Sequence, residues 1–205
     1  MFKKLPLSRS STNCYIIADD NTKEAAVIDP AGEFELIKGF IEKNSLNVKY
    51  ILLTHGHGDH IVALRELRDY SKAPVGIQAA DESMLNDASI NYSFMFSSNP
   101  IEEKSDFHLE DGEVFKLGAS EFKILHTPGH TMGSIGILFG KDLISGDTLF
   151  ARGIGRTDLP GGDYESIIKS IRTKLFTLPE DVAVHPGHGE SSTIGAEKAN
   201  NPFFK

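Results

Sequence analysis

Thr54-His55-Gly56-His57-Gly58-Asp59-His60 follows directly on the apolar run Val48-Lys49-Tyr50-Ile51-Leu52-Leu53. The apolar run has the composition of a buried strand. The heptad behind it crowds three imidazoles and a carboxylate into a few positions, a density of ligands that points to a metal site. Side chains alternate in an extended chain, so His55, His57 and Asp59 share one face. Gly56 and Gly58 let the backbone bend, so that the ligands converge on one point.

The rest of the composition frames this loop. A chain of 205 residues is long enough for one domain with a substantial core, expected to span 1–205. Hydrophobic residues at 40% and charged residues at 24% are those of an ordinary globular protein. The formal net charge of −8 argues against a general binder of phosphate backbones, so no nucleic-acid partner is expected. The single cysteine, Cys14, excludes an internal disulfide framework and fits a reducing cytoplasm. Met1-Phe2-Lys3-Lys4-Leu5-Pro6-Leu7 starts faintly like a secretory signal, but the polar Ser8-Arg9-Ser10-Ser11-Thr12 follows where an apolar core would be needed. No run approaches the length of a membrane span. A cytoplasmic protein with no membrane partner and no signature of oligomeric state is the expectation.

Patterning places the heptad within a succession of elements. Strands are expected at 1–7, 13–18 and 24–29, with Asp19-Asp20-Asn21 as the turn of a hairpin. A helix over 33–44 carries Phe34, Ile37, Phe40 and Ile41 at helical spacing, and a second is expected from Asp59 to Ser71. A short strand at 73–77 and a short helix at 80–86 follow. Residues 86–106 mix aromatics with turn formers, as either a surface segment packed on the core or a wall beside the active site. Strands return at 113–117, 122–126, 134–139 and 142–145. A helix over 163–176 has Asp163 as its N-cap, and a strand at 182–184 precedes a closing helix at 194–199.

Three further loops each offer one ligand just after a strand: His130 in Thr127-Pro128-Gly129-His130-Thr131, Asp147 in Ser145-Gly146-Asp147-Thr148, and His188 in His185-Pro186-Gly187-His188. Ligand sites gather beyond strand carboxyl ends, where such loops converge. His55, His57, Asp59, His60, His130, Asp147 and His188 are too many for one four-coordinate ion. Two ions about 3.5–4 Å apart that share a carboxylate would use them all. His108 reads as an exposed or hydrogen-bonded residue, and His126 and His185 as braces of their loops.

These motifs together resemble the metallo-β-lactamase superfamily over nearly the whole chain. The resemblance implies an α/β fold, a four-layer αββα sandwich of two mixed β-sheets with outer helices. It also implies that His55, His57 and His130 hold a first metal, that Asp59, His60 and His188 hold a second, and that Asp147 bridges them. Within the superfamily, His126-Thr127-Pro128-Gly129-His130-Thr131-Met132-Gly133-Ser134 and Ser145-Gly146-Asp147-Thr148-Leu149-Phe150 resemble the glyoxalase II (hydroxyacylglutathione hydrolase) group. The full-length group carries a C-terminal helical domain; with Lys205 following soon after the last ligand, a chain of the shorter subgroup without that domain is expected. A cysteine ligand of the kind usual in β-lactamases of this fold is missing from the motifs.

The resemblance implies a dinuclear-metal hydrolase acting on thioesters such as S-lactoylglutathione, by attack of a metal-bridging hydroxide on the carbonyl. Asp59 is the candidate for orienting that hydroxide, and Arg156 for pairing with a substrate carboxylate. Two divalent cations are expected, zinc first, with Fe²⁺ or Mn²⁺ as alternatives for a nitrogen and oxygen ligand set. The rival reactions are iron-dependent persulfide dioxygenation, which Gly155-Arg156-Thr157-Asp158 resembles, and lactone or ester hydrolysis. A non-catalytic metal-binding protein is the alternative outside catalysis.

Overall fold

The chain begins as an antiparallel hairpin, β1 (Phe2–Pro6) against β2 (Asn13–Ala18). All six residues of β2 are buried, but the two-residue period sends them to different layers. Tyr15 and Ile17 enter one core cluster, whereas Cys14, Ile16 and Ala18 enter another. A strand buried on both faces must lie between layers, and this one explains why the run reads as continuously apolar. Residues 1–7 and 11–205 are described by this computed structural model; Ser8-Arg9-Ser10 of the polar N-terminal stretch lie outside the described residues.

From β2 the first sheet continues through β3 (Glu24–Ile28), β4 (Asn47–Leu52), β5 (Val75–Ile77) and β6 (Phe107–His108), in sequence order across the sheet. The β2–β3 pair is antiparallel, and β3–β4, β4–β5 and β5–β6 are parallel. Helix α1 (Phe34–Lys43) provides the β3–β4 crossover and α2 (Leu64–Ser71) the β4–β5 crossover. Ile37 and Ile41 of α1, with Leu64 and Leu67 of α2, cover the outer face formed by Ile16, Val27 and Ile51.

Two short helices, α3 (Glu82–Leu85) and α4 (Ala88–Asn91), lead through an irregular stretch to β6. The second half supplies β7 (Val114–Leu117), β8 (Ser120–His126), β9 (Ile135–Phe139) and β10 (Asp142–Gly146). A small ribbon, β11 (Leu149–Phe150) with β12 (Gly153–Ile154), precedes α5 (Tyr164–Ser170). Then come β13 (Ala183–Pro186), β14 (Ser192–Thr193) and α6 (Ile194–Asn200). The second sheet runs β14-β13-β10-β9-β8-β7, with β10–β13 parallel and the other pairs antiparallel.

Tyr15, Ile28 and Leu52 from the first sheet meet Phe122, Ile124, Ile137 and Ile144 from the second, so one core lies between the sheets. Ile167 and Ile171 around α5, with Ile194 of α6, cover the outer face of the second sheet at Leu143 and Val184. The result is the expected αββα sandwich of two mixed sheets.

Two helix expectations change. Asp59 and His60 lie not in α2 but in a 3₁₀ turn, Gly58–His60, and the helix starts only at Leu64. The tight turn keeps these side chains with the preceding loop, and Ile61 is buried without being helical. The expected 163–176 helix starts with the predicted cap, since Asp163 accepts from Ser166 N at 2.7 Å, but it widens to a π-helical turn over Ile171–Leu175. Among the described residues, no helix is long and apolar enough to cross a membrane.

Candidate metal centre

The carboxyl ends of β4, β8, β10 and β13 open toward one edge of the sandwich, and each is followed by a loop with candidate ligands. β4 delivers His55, His57, Asp59 and His60; β8 delivers His130; β10 delivers Asp147; β13 delivers His188. All seven are brought together. They form three overlapping groups whose ligand atoms lie within 4.8 Å of one another: His55, His57 and His130; His55, His60 and Asp147; Asp59, His60 and His188.

Asp147 stands between the outer two groups. Its Oδ1 is 3.4 Å from His60 Nε2, and its Oδ2 is 3.7 Å from His130 Nε2 and 3.5 Å from His188 Nε2. His188 Nε2 is also 3.1 Å from Asp59 Oδ2. His57 Nδ1 and His130 Nε2 are 2.9 Å apart. Two nitrogens held at about 2.0–2.1 Å by one tetrahedral ion would stand about 3.3 Å apart, so the observed spacing is close to what a shared ion sets.

Neighbouring groups fix which nitrogens are free. His60 Nδ1 donates to Asp29 Oδ2 at 2.9 Å, which leaves Nε2 as the nitrogen turned toward Asp59 and Asp147. His55 Nδ1 faces Thr54 Oγ1 at 3.1 Å, and that hydroxyl itself donates to Asp29 Oδ2 at 2.6 Å. His130 Nδ1 donates to the Arg156 carbonyl at 2.8 Å. His55 Nε2, His57 Nε2, His60 Nε2 and Asp147 Oδ1 are buried without a hydrogen-bond partner. Unpaired buried polar atoms are costly, and His55 Nε2, His60 Nε2 and Asp147 Oδ1 fit cations as their missing partners.

The electrostatics suit a site for cations. Burial, reinforced by the neighbouring imidazoles, pushes His55 well below the ordinary histidine range and His57 down to about 4. Burial pushes the Asp147 carboxyl up, but His60, His130 and His188 outweigh it and hold it low. His60 moves upward: burial opposes its charge, and Asp59, Asp147 and Asp29 overcome that.

A cavity of about 670 Å³ opens over these ligands. Tyr92, Met95 and Phe96 line it, with Phe150, Leu159 and Arg156 also contributing. The irregular 86–106 segment therefore includes a wall of the site. Arg156 sits at the cavity, with its guanidinium paired to Asp158 through Nε–Oδ1 and Nη2–Oδ2 contacts of 2.8 Å each.

A family profile described as "Metallo-beta-lactamase superfamily" matches residues 7–188. The chain belongs to that superfamily. It is 41% identical to the hydroxyacylglutathione hydrolase GloC of Haemophilus influenzae, with 98% of this chain and 96% of the relative covered. Among solved structures, BLEG-1 B3 metallo-beta-lactamase superposes with a TM-score of 0.92 at 38% identity, covering all of both chains. TTHA1623, solved in a di-iron-bound form, superposes with a TM-score of 0.86 at 31% identity, covering 98% of this chain and 99% of that one. Membership in the superfamily makes the chain a metal-dependent hydrolase that binds divalent cations.

Sequence reasoning missed two residues that support these ligands. Asp29, at the end of β3, accepts from Thr54 N at 2.7 Å as well as from Thr54 Oγ1 and His60. Its backbone is in the left-handed region, with φ 50°. The signal available was a carboxylate directly after an apolar strand. Asp81, 1% exposed, accepts from Gly56 N, Thr131 Oγ1 and Gly133 N, and no motif marks it. His126 and His185 do brace: His126 Nε2 reaches the Met132 carbonyl at 2.9 Å, and His185 lies between Ser191 Oγ and Asp142 Oδ1 at 2.9 and 2.8 Å. His108 is exposed on β6.

Proposed function

We propose that the protein hydrolyses thioesters of the hydroxyacylglutathione class with a pair of divalent cations. His55, His57 and His130 would hold one ion, Asp59, His60 and His188 the other, and Asp147 would bridge them. The observation that carries this reading is Asp147, whose Oδ2 lies between His130 of the first group and His188 of the second while Oδ1 faces His60. When bound, such a pair supplies a water acidified to near-neutral pKa and an electrophile for the carbonyl oxygen. Zinc is the first candidate, and the di-iron relative supports iron as an alternative.

The chain's own residues hold and orient. Asp59 Oδ2, which accepts from Thr12 Oγ1 at 3.3 Å, is the candidate at the cavity for orienting the attacking water. The apolar lining excludes competing water from the carbonyl. Arg156, the expected contact for a substrate carboxylate, lies at the cavity with its guanidinium already paired to Asp158. The acidic composition and lone buried Cys14 support a cytoplasmic setting and a small-molecule partner.

The test is turnover of S-lactoylglutathione before and after chelation, with Zn²⁺, Mn²⁺ or Fe²⁺ restored separately. Chelation should abolish thioester cleavage, and one or more of the ions should return it. His188→Ala separates the main rival, because persulfide dioxygenation on one iron needs only His55, His130 and Asp147. Hydrolysis lost in that variant supports the proposal; oxygen uptake with glutathione persulfide that survives it overturns the proposal. A β-lactam arm tests the chemistry named by the BLEG-1 relative.

A further inference from the structure

We infer that this site selects substrates by an uncharged, apolar chain laid against Tyr92, Met95 and Phe96, and not by a clasped carboxylate. The inference rests on the hydrolase reading above and names the substrate class within it. Met95 is 68% exposed and its neighbour Phe94 55%, an unusual display of apolar surface for a short segment. Phe150 and Leu159 give the cavity further apolar walls.

The wall is built in place. Asn91, fully buried, donates to the Met84 and Ile101 carbonyls at 3.1 and 2.9 Å and accepts from Ser93 N at 2.8 Å. Ser93 Oγ accepts from Ile101 N at 2.8 Å. The wall also touches the ligand loop: a Cβ on Gly58 would lie 2.5 Å from Ser93 N and 2.8 Å from the Asn91 carbonyl. Tyr92 turns the chain there with φ 61°, and its ring stands 6.5 Å from that of His57. A wall registered this firmly to a metal ligand presents a fixed apolar surface, which lowers the ordering cost of binding.

Charge points the same way. Among the described residues lining the cavity, Arg156 is the one Lys or Arg side chain, and Asp158 occupies two of its donor nitrogens. Its carbonyl is committed to His130. A substrate carboxylate arriving at Arg156 therefore meets an adjacent aspartate of its own sign.

Two thioester series test this. One varies the acyl group on glutathione through acetyl, butanoyl, hexanoyl and succinyl; the other varies an alkyl thiol under constant acetyl. We expect kcat/KM in one series to rise by up to about fourfold for each methylene the wall buries, and the anionic succinyl ester to be the poorest acyl donor. The series that rises identifies which side of the thioester meets the wall. Met95→Ser and Phe96→Ser should flatten that rise, and Asp158→Asn should improve the succinyl ester relative to the butanoyl one. Calorimetry adds a readout without turnover: S-hexylglutathione should bind more tightly than S-methylglutathione, by a margin Met95→Ser reduces. Hydrolysis with both series flat, or with succinyl preferred, overturns this inference alone. No hydrolysis of any thioester by metal-loaded protein overturns the parent reading as well.

Discussion

Asp81 Oδ2 accepts a hydrogen bond from Thr131 Oγ1 at 2.7 Å and, on the same oxygen, the N–H of Gly56 at 3.1 Å. One buried carboxylate thus ties the loop of His55 and His57 to the loop of His130. Burial pushes its pKa up, and the hydrogen bonds from Thr131, Gly133 and Gly56 work against that. Asp81→Ala strands the N–H groups of Gly56 and Gly133, each worth about 1–3 kcal/mol when left unpaired, and leaves the Thr131 hydroxyl only Ser134 Oγ at 2.7 Å. We expect a loss on the order of 3 kcal/mol, read as a fall in Tm of roughly 6–12 °C for a chain of this size. Asp81→Asn, which keeps one acceptor oxygen, should lose less. Equal Tm for wild type and Asp81→Ala would refute the role.

Asp29 acts on the other group of ligands. It orients His60 through Nδ1, and removing such a partner typically weakens metal affinity 10- to 100-fold. Asp29→Ala should therefore weaken binding of the second equivalent of metal by that factor in a chelator competition, while the first equivalent changes less. Uniform weakening of both would assign Asp29 a general structural role.

Proton binding should divide the histidines in the metal-free protein. His57 is expected to titrate at about 4, because burial and then His130 and His60 oppose its charge. His60 is expected above the ordinary value, held charged by Asp59, Asp147 and Asp29 against its burial. The sign follows from linkage. A depressed histidine binds protons more readily unfolded, so His57 withdraws stability as pH falls from about 6.5 toward 4. His60, raised, adds stability that is fully present below 6.5 and lost as pH rises through its folded pKa. Histidine ring NMR across pH 3–9 reads both; two titrations coinciding near 6.5 would contradict the arrangement.

Gly187→Ala is a steric test of the bridging carboxylate. A Cβ there would collide with Asp147 Oδ1 and lie 2.6 Å from His60 Cε1. Displacement of reacting groups by about 1 Å can reduce rate about a hundredfold. We expect that scale of loss in kcat, with Tm of the metal-free protein nearly unchanged, since the collision is with site groups and not core. Full activity would remove Asp147 from the centre of the mechanism.

The apolar runs of β2, β3, β4 and β10 made these strands readable, whereas the αββα sandwich was implied by the resemblance of the ligand motifs to the superfamily. The candidate ligands were readable for a local reason: each sits among glycines at a strand end. Asp29 and Asp81 were not, since their partners come from 25 to 52 residues away and no short pattern encodes them. The start of α2 was misread because Ile61 continues the apolar spacing of Leu64 and Leu67 while its backbone, at φ −123°, does not continue the helix. Strands of two residues, such as β6 and β14, exist by virtue of the neighbouring strand and carry no period to detect.

Thr12 pairs with His188 as an isolated antiparallel bridge, and His188 Nδ1 donates to the Ser11 carbonyl at 3.1 Å. The two groups of ligands therefore differ in time. Synthesis from the N-terminus has delivered His55, His57 and His130 well before His188 emerges. The group around Asp59 must wait for that late loop to swing back onto the opening hairpin. The last candidate ligand in the chain is thus held in place by the chain's own opening segment.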